Sequence, residues 1–157
     1  MTQPHSPTSP DTPRVALFID GENVPSSYAG RIITRTRTHG QLAVRRVYGG
    51  VRKIPGWDAA PGFRMIHTGS GKNGADLMLA IEAMALSYER LADAFVLVSS
   101  DGDFTHLAQN LRERGFTVIG MGEEKADEHY NAASESAMHE MVIRAQYDAW
   151  RRYMCDA

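Results

Sequence analysis

Two uninterrupted apolar runs constrain this chain more than any other feature: RVALFID, from Arg14 to Asp20, and FVLVSS, from Phe95 to Ser100. The first is bounded by Pro13 and Gly21, and the second gives way to Asp101-Gly102-Asp103. Short runs rich in Val, Ile, Leu and Phe, closed by turn residues, suit strands buried on both faces better than helices. Between and after them the pattern alternates. A helix is expected from Ser26 to about Thr38, opened by Pro25 and closed at Gly40. LAVRRVYGG reads as a second strand and Phe63 to Thr68 as a third. Residues 49–62 hold four glycines and two prolines and read as loop. The GSGKNG link leads into a helix, DLMLAIEAMALSYERL, whose Leu77, Ile81, Met84 and Tyr88 recur at helical spacing and are expected in the core. After FVLVSS come a helix, DFTHLAQNLRERG, stopped by Gly115, and a fifth strand, FTVIGMG. The tail from about Asp127 to Tyr153 reads as one or two amphipathic helices carrying Tyr130, Met138, Met141, Val142, Tyr147 and Trp150. Strands and helices alternating at these intervals predict an α/β fold with a mostly parallel sheet and helices on both faces.

In such sheets ligands bind beyond the carboxyl ends of the strands, where the strand order reverses. Asp20 ends the first strand and Asp101 follows the fourth. If those strands are neighbours, the two carboxylates converge on one crevice. Like charges placed that close disfavour each other's ionisation, so something must compensate them. Two more acids occupy related places: Asp76 at the start of one helix and Asp103 at the start of another. Each acid also has an ordinary structural reading, as a helix N-cap for Asp76 and Asp103 and as an Asp-Gly turn for Asp20 and Asp101. As a set they match what hard divalent cations select, so Mg²⁺ or Mn²⁺ is the expected compensating charge. Such an ion can activate water and stabilise charge on a phosphoryl oxygen. Asn23 either contacts a metal-bound water or caps the next helix. Ser99, Ser100 and Thr105 are able to orient water or phosphate, but a small residue at a strand end is usually just packing. The six histidines show no zinc-ligand spacing, and His106 is expected at the helix surface.

At 157 residues the chain suits one domain. Residues 1–13 carry four of its seven prolines among Ser, Thr and Gln, and read as a disordered lead. A single cysteine, Cys155, excludes an internal disulfide, and no run is long enough to cross a membrane, so a cytoplasmic protein is expected. The net charge of −2 conceals a segregation. No acid lies between Glu22 and Asp58, while Arg31, Arg35, Arg37, Arg45, Arg46, Arg52 and Lys53 do. A solvated helix face explains part of this. The functional reading is contact with a polyanion.

FIDGENV, KNGADLMLAIEAM and VLVSSDGDFTHLAQNLRERGFTVIGMG together resemble the NYN domain, in its LabA-like branch (also called DUF88), within the PIN-like nuclease superfamily. The likeness runs from Arg14 to Tyr147, leaving 148–157 as the end of a C-terminal helix and tail. It implies a Rossmann-like, three-layer α/β/α sandwich whose acidic cluster binds Mg²⁺ or Mn²⁺ and hydrolyses RNA phosphodiesters. By that likeness Asp20, Asp76, Asp101 and Asp103 are the metal site and catalytic residues, Asn23 supports them, and Phe104 is a buried anchor. Relatives often carry an Asp six residues after the helix-start acid; here that position is Glu82, well apart from Asp76 around the helix and readable as a plain surface acid.

The leading expectation is therefore a metal-dependent endoribonuclease. Lys72, Arg45, Arg46, Arg52 and Lys53 would contact phosphates, with Tyr48 or Trp57 as stacking surfaces for bases. The alternative is a regulatory module of the same fold that binds nucleic acid or recruits proteins with little turnover, with Trp150 and Tyr153 as a homodimer or partner contact. A phosphatase of the haloacid dehalogenase type is disfavoured, because its second strand-end Asp is replaced by Glu22 and no suitable Lys motif follows the fourth strand.

Overall fold

The computed structural model describes residues 12–50, 56–60, 62–68, 74–99, 104–123 and 138–143, with Glu123 and 138–143 described by their backbone alone. Its sheet is built from β1 (Arg14–Asp20), β2 (Gln41–Gly49), β3 (Arg64–His67), β4 (Ala94–Val98), β5 (Thr117–Glu123) and β6 (Met138–Ile143). The helices are α1 (Ala29–Arg37), α2 (Gly74–Glu89) and α3 (Thr105–Glu113). The spatial order is β3-β2-β1-β4-β5-β6, with the first five strands parallel and β6 antiparallel to β5.

The two apolar runs are neighbours at the centre. β1 pairs with β4, Val15 opposite Ala94 and Ile19 opposite Val98, and every residue from Val15 to Asp20 is buried. Alternate residues feed two cores, because strand side chains alternate between faces. Ala16, Phe18, Tyr48, Phe95 and Leu97 meet α2 and α3, while Val15, Leu17, Ile19, Val96 and Val98 share the other face with Ile32 of α1 and Trp57. Phe18 stacks between Tyr48 and Phe95, with ring centroids 6.0 Å from each. From β1 the chain builds outward through β2 and β3, then crosses back through α2 to β4 and builds the other way. This reversal between β1 and β4 makes their carboxyl ends the place where a ligand site forms in such sheets.

Local signals explain the element ends. Pro25 precedes a 3-10 turn, Ser26–Tyr28, that runs into α1. Gly115 takes φ +96° just after α3, a backbone shape that glycine adopts without steric cost.

Two expectations need correction. Leu77, Ile81 and Tyr88 do not enter the core; α2 turns Ala75, Leu79, Ala83 and Leu86 to the sheet, and of the expected stripe only Met84 packs against it. α2 is apolar on nearly every side, so helical spacing alone cannot tell which stripe faces inward, and the small Ala75 and Ala83 let the helix lie close to the strands. Residues 138–143, expected to be helical, form edge strand β6, pairing Met138 with Glu123 and Ile143 with Val118. That pairing satisfies the row of N–H and C=O groups β5 would otherwise expose. The rest of the expected C-terminal helix, with Tyr147, Trp150 and Tyr153, and most of the N-terminal lead lie outside the described residues.

Candidate functional site

The turn after β1 holds its terminal carboxylate in place. Asp20 is fully buried at the β1 end, beside Tyr48 of β2 on one flank and next to the last pair of the β1–β4 ladder on the other. A carboxylate removed from water needs hydrogen-bond donors. The Asn23 amide donates to Asp20 Oδ2 at 2.6 Å, the Ser99 hydroxyl donates to the same oxygen at 3.2 Å, and the Glu22 backbone N–H reaches Oδ1 at 3.3 Å. The turn is closed by Asn23 N–H on the Asp20 carbonyl (3.2 Å) and by Gly21 N–H on the Tyr48 carbonyl (2.9 Å). Asn23 thus orients the acid itself; the helix that follows begins beyond Pro25 and does not use it as a cap. Ser99, readable from sequence as mere packing, joins the ends of β4 and β1 through this contact. Glu22, weighed in the sequence only as the replacement of a phosphatase's second Asp, accepts the Gly50 N–H with its carboxylate at 2.7 Å and ties the β1 turn to the end of β2.

Asp76 lies in the first turn of α2, inside the helix rather than at its cap, where a negative charge faces the helix N-terminal dipole. It borders a groove of about 530 Å³ between α2 and α3, walled by Leu77, Ala80, Met84, Phe104 and Leu107, with His106 and Asn110 at its edge. Phe104 is buried and His106 exposed, as expected. Asp101 and Asp103, with Lys72, Arg52 and Lys53, lie outside the described residues. Among the described residues, no group of three or more His, Cys, Asp or Glu side chains is gathered to hold an ion. The donor chemistry nevertheless fits a hard divalent cation: carboxylate oxygens at Asp20 and Asp76, with Asp101 following the Asp20-bonded Ser99 by two positions.

The remaining expected contacts divide. Arg45 and Arg46 are consecutive on β2 and leave it on opposite faces, so they do not form one surface. Arg45 runs beside Gly62, on the side away from α2. Arg46 lies on the α2 side, where its guanidinium donates to Glu82 Oε1 at 2.9 Å. The Tyr48 hydroxyl donates to that same oxygen. Glu82 is therefore no plain surface acid: it joins α2 to the strand beside β1. Burial, reinforced by the hydrogen bond to the Glu82 carboxylate, pushes the Tyr48 phenol above its ordinary value of 10.0. Neither aromatic residue expected to stack on bases is available for it. Tyr48 is buried, and Trp57 is packed at 5.4 Å against Phe63 with its indole N–H on the Val24 carbonyl.

A family model described as NYN domain matches residues 14–140. The chain belongs to the NYN domain family, part of the PIN-like nuclease superfamily, whose nucleases act on RNA and usually use divalent metals. Among solved structures, it is similar to a protein of unknown function from Vibrio parahaemolyticus RIMD 2210633, at 18% identity and a TM-score of 0.54, over 71% of this chain and 82% of that one. That likeness concerns the fold. A phosphoribosylglycinamide formyltransferase from Brucella melitensis aligns at 10% identity with a TM-score of 0.41, over 92% of this chain and 88% of that one. No curated protein matches.

Proposed function

We propose that this chain is a divalent-metal-dependent endoribonuclease of the LabA-like branch, with Asp20, Asp76, Asp101 and Asp103 holding the metal. The observation that carries the reading is the buried Asp20 carboxylate at the β1–β4 reversal, held by Asn23, Ser99 and the Glu22 N–H. Those donors fix the carboxylate in one orientation, as the outer partners of metal ligands do. A bound Mg²⁺ or Mn²⁺ supplies Lewis-acid polarisation of a phosphodiester and lowers the pKa of a coordinated water. The chain's own part is to aim its carboxylates and to keep Asp20 away from bulk water. Arg46, Arg45, Lys72, Arg52 and Lys53 are the proposed phosphate contacts; because Arg45 and Arg46 face opposite ways, one strand of RNA engages only one of them.

We assign the domain to residues 14–147 and the protein to the cytoplasm; among the described residues no helix is long and apolar enough to cross a membrane. The test is RNA cleavage by wild type and Asp101→Asn with Mg²⁺, Mn²⁺ or EDTA, alongside calorimetric titration of Mn²⁺. Cleavage that needs metal and is lost in Asp101→Asn supports the nuclease. RNA binding without cleavage by the wild type, unchanged in Asp101→Asn, would replace it with the regulatory-module reading.

A further inference from the structure

α2 carries too much apolar surface for a helix that covers one side of a sheet. Its only charged residues are Asp76, Glu82 and Glu89 among sixteen. While Leu79, Ala83 and Leu86 face the core, Leu77 is 63%, Ile81 54% and Tyr88 67% exposed, joined by Met78 at 36% and by Leu91, just past the helix, at 45%. A helix apolar all round is normally enclosed on all sides.

The exposed Leu77, Ile81 and Tyr88 form an ordered stripe with Met84, which is half-buried against the core. Leu77, Ile81, Met84 and Tyr88 follow one another at intervals of four, three and four residues, the spacing of a heptad seam that receives another helix knobs-into-holes. The positions flanking that seam are Met78, Ala80, Ala85 and the buried Ser87, all uncharged. Flanking charges are what make such seams choose unlike partners or reject like ones. Here no flanking charge repels an identical helix, and the small Ala80 and Ala85 allow close approach. The Tyr88 ring is already seated, with the Arg114 guanidinium 3.8 Å from its centroid, so ordering it on contact costs little entropy.

The surface available is of the right size. Taking about 200 Å² for a large side chain, the exposed fractions leave about 500 Å² per copy. A symmetric pair would bury about 1,000 Å², the lower bound for a specific interface.

We propose that α2 is the contact through which two copies of this chain pair. The helices run antiparallel about a two-fold axis between Ile81 and Met84. Leu77 then meets the partner's Tyr88, and Ile81 meets the partner's Met84, an isologous contact of one patch with itself. Because Leu77 directly follows Asp76, the two acidic sites sit at opposite ends of the interface, about 20 Å apart along the helix axis.

The experiment is sedimentation equilibrium of the full chain, from about 1 to about 100 μM, a range that brackets a micromolar Kd. Wild type, Ile81→Glu and Tyr88→Ser are compared, with thermal midpoints measured in parallel. A concentration-dependent wild-type dimer, weakened about 100-fold or more by either substitution at a nearly unchanged monomer midpoint, supports the pairing. A wild type that stays monomeric throughout overturns it. So does a dimer indifferent to both substitutions, which would use another face. A monomer whose midpoint falls steeply in both variants also overturns it, since the stripe would then be covered by the chain's own terminal segment.

Discussion

Tyr48→Phe removes one oxygen from the position next to Asp20 and leaves the ring that stacks on Phe18. The lost contact is a hydrogen bond donated to the Glu82 carboxylate, whose oxygen keeps only the Arg46 guanidinium from this group. A hydrogen bond to a charged acceptor contributes about 1.5–3 kcal/mol. For a chain of this size that corresponds to a fall of about 3–12 °C in the thermal midpoint at pH 7. The effect has a pH signature. Folding raises the Tyr48 pKa above its unfolded value of 10.0, so its contribution is fully present below about pH 10. Above that, the unfolded chain releases the phenolic proton while the folded one retains it, and wild-type stability declines. The phenylalanine variant has no such proton to lose. The gap between the two midpoints should therefore narrow between pH 9 and about pH 11. Circular dichroism melts of both proteins across that range measure it. A gap under about 1 °C at pH 7, or one that stays constant to pH 11, would refute the assignment of Tyr48 to a buried bond with Glu82.

Two other outcomes follow from the same geometry. Asn23→Ala removes the 2.6 Å bond that orients Asp20 from an exposed position, so Mn²⁺ affinity measured by calorimetry should fall about 10–100-fold with little loss of thermal stability. Gly40→Ala should cost about 1–3 kcal/mol in urea denaturation, because Gly40 has φ +154° and an added Cβ would lie 2.3 Å from the Pro13 carbonyl oxygen, itself fixed by the Gln41 N–H.

What could be read from the sequence was whatever its local pattern determines. β1 and β4 stand out because strands buried on both faces must be continuously apolar, and α3 ends where Gly115 relieves a positive φ. The adjacency of β1 and β4 was only a condition in the sequence; the hydrogen-bonded ladder supplies it. The orientation of α2 escaped because a helix that is apolar on two faces offers two equally good stripes, and the exposed one happened to be the more regular. β6 escaped because its six residues make sense only beside β5. The roles of Glu82 and Ser99 were hidden for a related reason. Glu82 meets Tyr48 across 34 positions, and Ser99 meets Asp20 across 79, so neither pairing leaves a trace in local spacing.

If Asp20 anchors a metal-dependent nuclease centre, the RNA cleavage rate of Asp20→Asn beside wild type in Mn²⁺ will show it. The substitution keeps the shape of the side chain and replaces its charge, and a matching circular dichroism spectrum checks the fold. The wild type should cleave only with metal and stop in EDTA, and Asp20→Asn should lose at least about 100-fold in rate. Cleavage at the wild-type rate by a folded Asp20→Asn protein would contradict that anchoring role.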